Sequence, residues 1–270
     1  MTAFARILQS LERAGLVVQR PEAPPASVEG ITEDSRRVAP GWLFCAIEGT
    51  AEDGHRYLPD AVSRGAAAVL VARPSVLPIP QIVVRESRAA VALAAAEWFE
   101  HPARDLQLVG VTGTNGKSTT VALIRHLLNH DADTGSMGTL GAFDGAGAAV
   151  YEEGLTTPGP VQLQETLARL RDSGVTKLAM EVSSHALDQH RVDALSFAAG
   201  VFTNLSHDHL DYHADLEEYF RAKQRLAGLV HADGSVVVNA DEAVWRRLQV
   251  PEGRHAVSFG LDAEATVRGD

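Results

Sequence analysis

The chain has 270 residues, 45% hydrophobic and 22% charged, enough to bury a sizeable core in one large or two smaller globular domains. Its 24 Lys and Arg against 35 Asp and Glu give a formal charge of −11, which excludes a dedicated basic nucleic-acid binder, and no apolar run is long enough to span a bilayer. The single cysteine, Cys45, excludes an internal disulfide; it reads as a small core residue in the run Trp42 to Ile47 and suits a reducing cytoplasm.

Met1 to Leu16 reads as an amphipathic helix, with Phe4, Ile7, Leu8 and Leu11 at helical spacing and Arg6, Glu12 and Arg13 between them. It lacks the continuous apolar segment of a signal peptide. After an Ala/Pro loop over Pro21 to Ser27, strands are predicted at Val28 to Ile31 and Trp42 to Ile47, and a helix at Tyr57 to Arg64, closed by Gly65. A buried strand over Ala66 to Val71, a Pro-marked loop (Pro74, Pro78, Pro80) and a short strand at Gln81 to Val84 complete a small α/β domain over residues 1–86. Ser87 to Glu100 predicts a connecting helix, capped by Ser87 and ended before Pro102, which opens a second domain over residues 87–270.

In that second domain an apolar strand ending in Val109-Gly110-Val111-Thr112 runs into Gly113-Thr114-Asn115-Gly116-Lys117-Ser118-Thr119, and a helix follows. A strand, a glycine turn, a lysine and a hydroxyl at a helix start form a cradle for polyphosphate. Backbone N–H groups meet the oxygens, Lys117 reaches the β/γ-phosphates and Ser118 suits Mg²⁺. Only two residues separate Gly113 from Gly116, a shorter loop than the usual G-x-x-x-x-G-K-[ST], and a plain strand-to-helix turn is the alternative.

Turns and short strands are expected over the Gly-rich Gly135 to Gly147, a helix over Pro160 to Ser173, and strands at Leu178 to Val182 and Phe197 to Phe202. A helix over Leu216 to Leu229, a strand at Ser235 to Asn239 and a short helix at Glu242 to Leu248 follow. Alternating strands and helices predict an α/β fold with a mostly parallel sheet flanked by helices, which binds ligands where its strands end. Glu181 ends one strand, where it is either a Mg²⁺ ligand beside Ser118 or a solvated carboxylate. Thr203 to His213 holds His207, His209 and His213 with Asp208 and Asp211, a cluster suited to metal or proton chemistry, or else a capped surface loop. Arg191 suits a phosphate or carboxylate, Thr156-Thr157 an anion or a helix cap, and Lys223, taken alone, is a snorkelling surface lysine.

Taken together, T-G-T-N-G-K-S-T-T, T-T-P-G, M-E-V-S-S-H-A-L-x-Q-H-R-V, F-T-N-L-S-x-D-H-L-D-Y-H and Ala222-Lys223 resemble the Mur ligases of peptidoglycan assembly. Asp34-Ser35-Arg36 and Gly49 to Gly54 extend the likeness into the first domain. The resemblance implies an ATP-dependent amide ligase that adds a diamino acid, meso-diaminopimelate or L-lysine, to UDP-N-acetylmuramoyl-L-alanyl-D-glutamate through an acyl phosphate. It implies a UDP site at Ser35, Thr50, Ala51 and Glu52, and ATP at Gly113, Thr114, Asn115, Gly116, Lys117, Ser118 and Thr119. Thr156, Thr157, Ser183, Gln189 and Arg191 would line the muramoyl dipeptide. Ser118 and Glu181 would hold one Mg²⁺, and His209 and a CO₂-carbamylated Lys223 a second; Lys117, His209 and Lys223 would be catalytic.

The expected setting is a cytoplasmic monomer that neither binds nucleic acid nor inserts in a membrane. Two departures stand out. Leu155 lies where relatives often carry Asn, and the chain stops at Asp270, before the rest of the central domain and a C-terminal amino-acid-binding domain. Activity of this chain alone is therefore not expected. A non-catalytic module for UDP-muramoyl-peptide, and a folylpolyglutamate-synthetase-like ligase that would not bind UDP, are the competing readings.

Overall fold

The computed structural model describes residues 1–49, 52–130, 133–151, 154–208, 211–262 and 264–269. Its chain divides into two compact units, Met1–His101 with Pro160–Gln164, and Pro102–Gly159 with Glu165–Asp270.

The first unit begins with α1 (Ala3–Arg13), whose N-cap Thr2 accepts from the Ala5 N–H and whose Phe4, Ile7 and Leu11 are buried. It continues through β1 (Val17–Gln19), β2 (Gly30–Thr32), β3 (Trp42–Cys45), α2 (Leu58–Ser63), β4 (Ala68–Val71), β5 (Gln81–Val84) and α3 (Ser87–Trp98). The sheet order is β1-β5-β4-β3-β2, parallel except for β1 against β5. Strands β3 and β4 are apolar almost throughout because the sheet is covered on both faces. Cys45 is fully buried, as expected, and burial raises its thiol pKa well above the ordinary value.

Helix α3 departs from the expected connector that opens the second domain. Its Ala90, Val91, Ala94 and Ala95 share one core with Phe4, Ile7 and Leu11, so it belongs to the first unit and the boundary at 86/87 moves past it. Small side chains let α3 pack closely against α1, a use of its Ala run beyond helix propensity. Ser87 does not cap the helix either: Glu86 is the N-cap, and the Ser87 hydroxyl accepts from the Glu48 N–H at 3.2 Å.

The second unit comprises β6 (Gln107–Thr112), α4 (Lys117–Leu128), β7 (Thr134–Gly138), β8 (Gly141–Phe143), β9 (Ala149–Tyr151), the part of α5 (Pro160–Asp172) from Glu165 onward, and β10 (Lys177–Glu181). It goes on through α6 (Ser184–Asp188), β11 (Phe197–Phe202), α7 (Leu216–Leu229), β12 (Val230–Asn239), β13 (His255–Gly260) and β14 (Val267–Arg268). The sheet order is β14-β13-β12-β11-β6-β10-β7-β8-β9, with the β7–β8 and β8–β9 pairings antiparallel and the other pairings parallel. Central β6 pairs with β10 on one side and β11 on the other, Glu181 opposite Val111 and Phe202 opposite Thr112. That register brings the three segments leaving these strands, from 113, 182 and 203, to the same edge, the usual ligand edge of an open parallel sheet. Among the described residues, no helix is long and apolar enough to cross a membrane.

Candidate functional site

The turn between β6 and α4 is built around two glycines. Gly113 has φ 151°, and a Cβ there would collide with Thr203 Oγ1. Gly116, at φ 83°, is the N-cap of α4 and contributes no capping side chain, which leaves the helix N-terminus to an anionic ligand.

The segment after β11 fixes this turn from the side. Thr203 Oγ1 donates to Asn115 O at 2.8 Å, and the Asn204 side chain accepts from Asn115 N–H at 2.9 Å and donates to Asn115 O at 3.2 Å. The Asn204 carbonyl accepts from Thr114 N–H at 2.9 Å, and Thr114 Oγ1 accepts from Ser206 N–H at 3.0 Å. The cradle is therefore preorganised by residues some 90 positions away in the chain.

Two lysines converge on one carbonyl. Lys117 Nζ donates to Gly113 O at 3.0 Å and Thr114 O at 2.9 Å, and Lys223 Nζ donates to Gly113 O at 2.9 Å. Lys223 is 1% exposed, with its ammonium 4.4 Å from the Tyr219 ring centroid, so the snorkelling-surface reading of this residue is wrong. Helix α7 turns Tyr219, Phe220, Lys223 and Leu226 inward together. Burial, then the charge of Lys117, push the Lys223 pKa well below that of an ordinary lysine, against the opposing pull of Asp208. Burial also lowers the Lys117 pKa, opposed by Glu181 and Asp208.

Glu181 is not a solvated strand end. It is 2% exposed; Ser118 Oγ donates to its Oε1 at 2.8 Å, Thr139 N–H to Oε1 at 3.0 Å, and Thr139 Oγ1 to Oε2 at 3.3 Å. Two oxygens on adjacent elements, below the phosphate turn, fit one edge of a hard-cation site: octahedral Mg²⁺–O bonds of about 2.0–2.1 Å set neighbouring ligand oxygens about 3 Å apart. Among the described residues no group of three or more His, Cys, Asp or Glu could hold a metal, so this pair depends on the serine hydroxyl. A cavity of about 260 Å³, lined in part by Ser118, Ala122, Arg125, Met137, Gly138 and Glu181, opens beside it.

Gly138 is the close approach that admits the Glu181 carboxylate, since a Cβ there would overlap Oε1. Gly138→Ala is expected to displace Glu181 and weaken Mg²⁺-dependent nucleotide binding about tenfold or more, while metal-free binding changes little; calorimetry with and without Mg²⁺ checks this.

The residues expected to line the dipeptide come together on the same edge. Thr157 Oγ1 donates to Glu181 O at 2.9 Å and accepts from Ser183 N–H at 3.0 Å, and Thr156 Oγ1 lies 3.0 Å from Thr139 Oγ1. Arg191 Nη1 donates to Thr157 O at 2.8 Å, and its Nη2 to Gln189 Oε1 at 2.6 Å. Ser183 also caps α6, accepting from Ala186 N–H at 3.1 Å.

In the first unit, Ser35 is buried at the start of a 3₁₀ turn capped by Asp34, and the Glu52 carboxylate accepts from Tyr57 OH at 3.3 Å. Thr50, Ala51 and His209 lie outside the described residues. Thr139 is the site residue that sequence reading missed; the one local signal for it is the Gly138-Thr139-Leu140-Gly141 turn.

Residues 111–270 match the Mur ligase middle domain, and residues 27–107 match the Mur ligase family, catalytic domain. The chain is 42% identical over 242 residues to the UDP-N-acetylmuramoyl-L-alanyl-D-glutamate–2,6-diaminopimelate ligase of Aquifex aeolicus (strain VF5), covering 89% of this chain and 49% of that protein. It is 40% identical over 245 residues to the same-named ligase of Listeria monocytogenes serovar 1/2a, covering 88% of this chain and 50% of that one. A solved structure of a ligase of this name superposes with a TM-score of 0.74 at 27% identity, over 88% of this chain and 50% of that chain. The chain thus spans about half the length of the curated relatives it matches.

Proposed function

From the premise that the chain belongs to the Mur ligase family, we propose that it carries the nucleotide- and precursor-binding parts of an ATP-dependent amide ligase of peptidoglycan synthesis. The substrates in this reading are ATP, UDP-N-acetylmuramoyl-L-alanyl-D-glutamate and a diamino acid. We take the last to be 2,6-diaminopimelate, after the names of the relatives, with L-lysine as the alternative. The reading places the UDP end on the first unit, at Ser35, Thr50, Ala51 and Glu52, and ATP on the second. ATP and a nucleotide-linked precursor both belong to the cytoplasm.

The observation that carries this is the Ser118–Glu181 pair, 2.8 Å apart beneath the turn that holds Lys117. In the proposed reaction the precursor's carboxylate attacks the γ-phosphorus, ADP leaves, and the amine displaces phosphate from the acyl phosphate to form the amide. Two anions must meet, so the side chains around them have to neutralise charge. Lys117 sits across the phosphate turn for this purpose, and the N-terminus of α4 adds its dipole. Thr157, Ser183, Gln189 and Arg191 hold the dipeptide end.

Mg²⁺ bound at Ser118 and Glu181 would supply Lewis-acid charge neutralisation. A second ion would take His209 and a carbamate on Lys223. Burial fits Lys223 to that modification: it favours the neutral amine that adds to CO₂, and the carbamate keeps an N–H for Gly113 O.

Calorimetry tests the reading. The chain is expected to bind UDP-muramoyl-dipeptide, and to bind ATP more tightly with Mg²⁺ than without. Failure to bind UDP compounds while nucleotide binding persists would favour the folylpolyglutamate-synthetase-like alternative. Precursor binding with no nucleotide binding would mark a non-catalytic module.

A further inference from the structure

Arg191 and Gln189 are the inner members of a longer directional chain of hydrogen bonds. Tyr212, in the segment after β11, donates its phenolic proton to Asp188 Oδ2 at 2.6 Å and accepts from Gln189 Nε2 at 3.1 Å. Gln189 Oε1 then accepts from Arg191 Nη2 at 2.6 Å and Nε at 3.2 Å, and Arg191 Nη1 reaches Thr157 O at 2.8 Å.

The direction of this chain is set at its far end. A carboxylate only accepts, so the single phenolic proton goes to Asp188 and the phenolic lone pair faces Gln189. That face takes the amide NH₂, which turns the amide oxygen toward the guanidinium. With the phenol gone, the amide keeps, among the described contacts, only its bonds from Arg191, and its rotated form would point N–H groups at the N–H groups of Arg191. The Tyr212 ring is itself held in place, with His185 at 4.1 Å and His213 at 4.9 Å between centroids.

We propose that Tyr212 and Asp188 are positioning residues for the dipeptide subsite: they lock the Gln189 amide in one orientation and, through it, the plane of the Arg191 guanidinium. This rests on the reading that Gln189 and Arg191 contact the precursor, and it adds two residues that touch neither substrate nor nucleotide. Precise placement matters here because a guanidinium recognises a carboxylate in a fixed planar fork.

The test is a double-mutant cycle on this chain, with the dissociation constant of UDP-muramoyl-dipeptide measured by calorimetry. Tyr212→Phe is expected to weaken that binding about three- to tenfold, through loss of the two hydrogen bonds its hydroxyl makes to Asp188 and Gln189, with ATP affinity unchanged. Gln189→Glu presents only acceptor oxygens, so it faces Arg191 correctly in either orientation. In that background Tyr212→Phe is expected to change affinity by less than about twofold, a non-additivity that a merely structural tyrosine would not produce. Equal losses in both backgrounds, or no loss in either, overturn the positioning role. Failure of the unsubstituted chain to bind the precursor overturns the underlying functional reading instead.

Discussion

Lys117→Met is expected to weaken ATP binding by this chain by about 10²-fold or more, and to remove phosphate release in any turnover-competent form of the protein. Two effects combine at this residue. In the proposed binding mode the ammonium faces the β/γ-phosphates, and an oriented donor of this kind contributes roughly 3–4 kcal/mol when charge builds in a water-poor site. Its Nζ also ties Gly113 O to Thr114 O, so the side chain helps to hold the turn it serves. Because burial already disfavours the charged form of Lys117, an arriving phosphate restores the charge it needs, and ATP binding should take up protons near the alkaline end of the pH range. Calorimetry in buffers of differing ionisation enthalpy reads that uptake. The expected signature is a large affinity loss for ATP, a smaller one for ADP and almost none for adenosine. Equal losses for all three would mean the turn had collapsed, and no loss would remove Lys117 from the site.

The strand, glycine turn and helix from β6 to α4 were legible in the sequence because they are local: strand, glycines, lysine and hydroxyl lie within a dozen residues. The long apolar strands and helices were legible for the same reason, and β5, β11 and α7 fall where periodicity puts them. What escaped was short, peripheral or long-range. Strand β1 has three residues, half-exposed or exposed at a sheet edge, β13 and β14 lie at the opposite edge of the larger sheet, and α6 is barely more than one turn.

Glu181 stood between two readings because its decisive partners, Ser118 and Thr139, come from other elements. Lys223 was read as a surface lysine on composition, and only the family likeness reversed this. The carbonyl and the ring that receive its ammonium are Gly113 O, 110 positions away, and Tyr219, whose orientation follows from how α7 packs. The pairing of Tyr212 with Asp188 has no local signature, since a hydroxyl in a loop and a carboxylate at a helix end are common anywhere.

Lys223→Met separates stability from function. Folding lowers the lysine's pKa, so between the folded value and the ordinary one the unfolded chain binds more protons, and stability rises with pH across that window. Below the folded value the full penalty of burying the cation applies. Methionine has similar reach and no charge, and Gly113 O keeps its bond from Lys117. The variant is therefore expected to melt higher at neutral pH, by the equivalent of about 1–3 kcal/mol, the usual gain when a buried ionic group yields to an apolar one. Its rise in melting temperature from neutral to alkaline pH should flatten, leaving only the part that belongs to Lys117. Turnover in any competent form should fall by about 10²-fold or more, because methionine can neither carry a carbamate nor present a charge beside the phosphate turn. A melting temperature that drops at neutral pH with its alkaline slope intact would show that the ammonium stabilises the fold as a cation, and would remove the physical ground for a neutral, CO₂-reactive amine at this position.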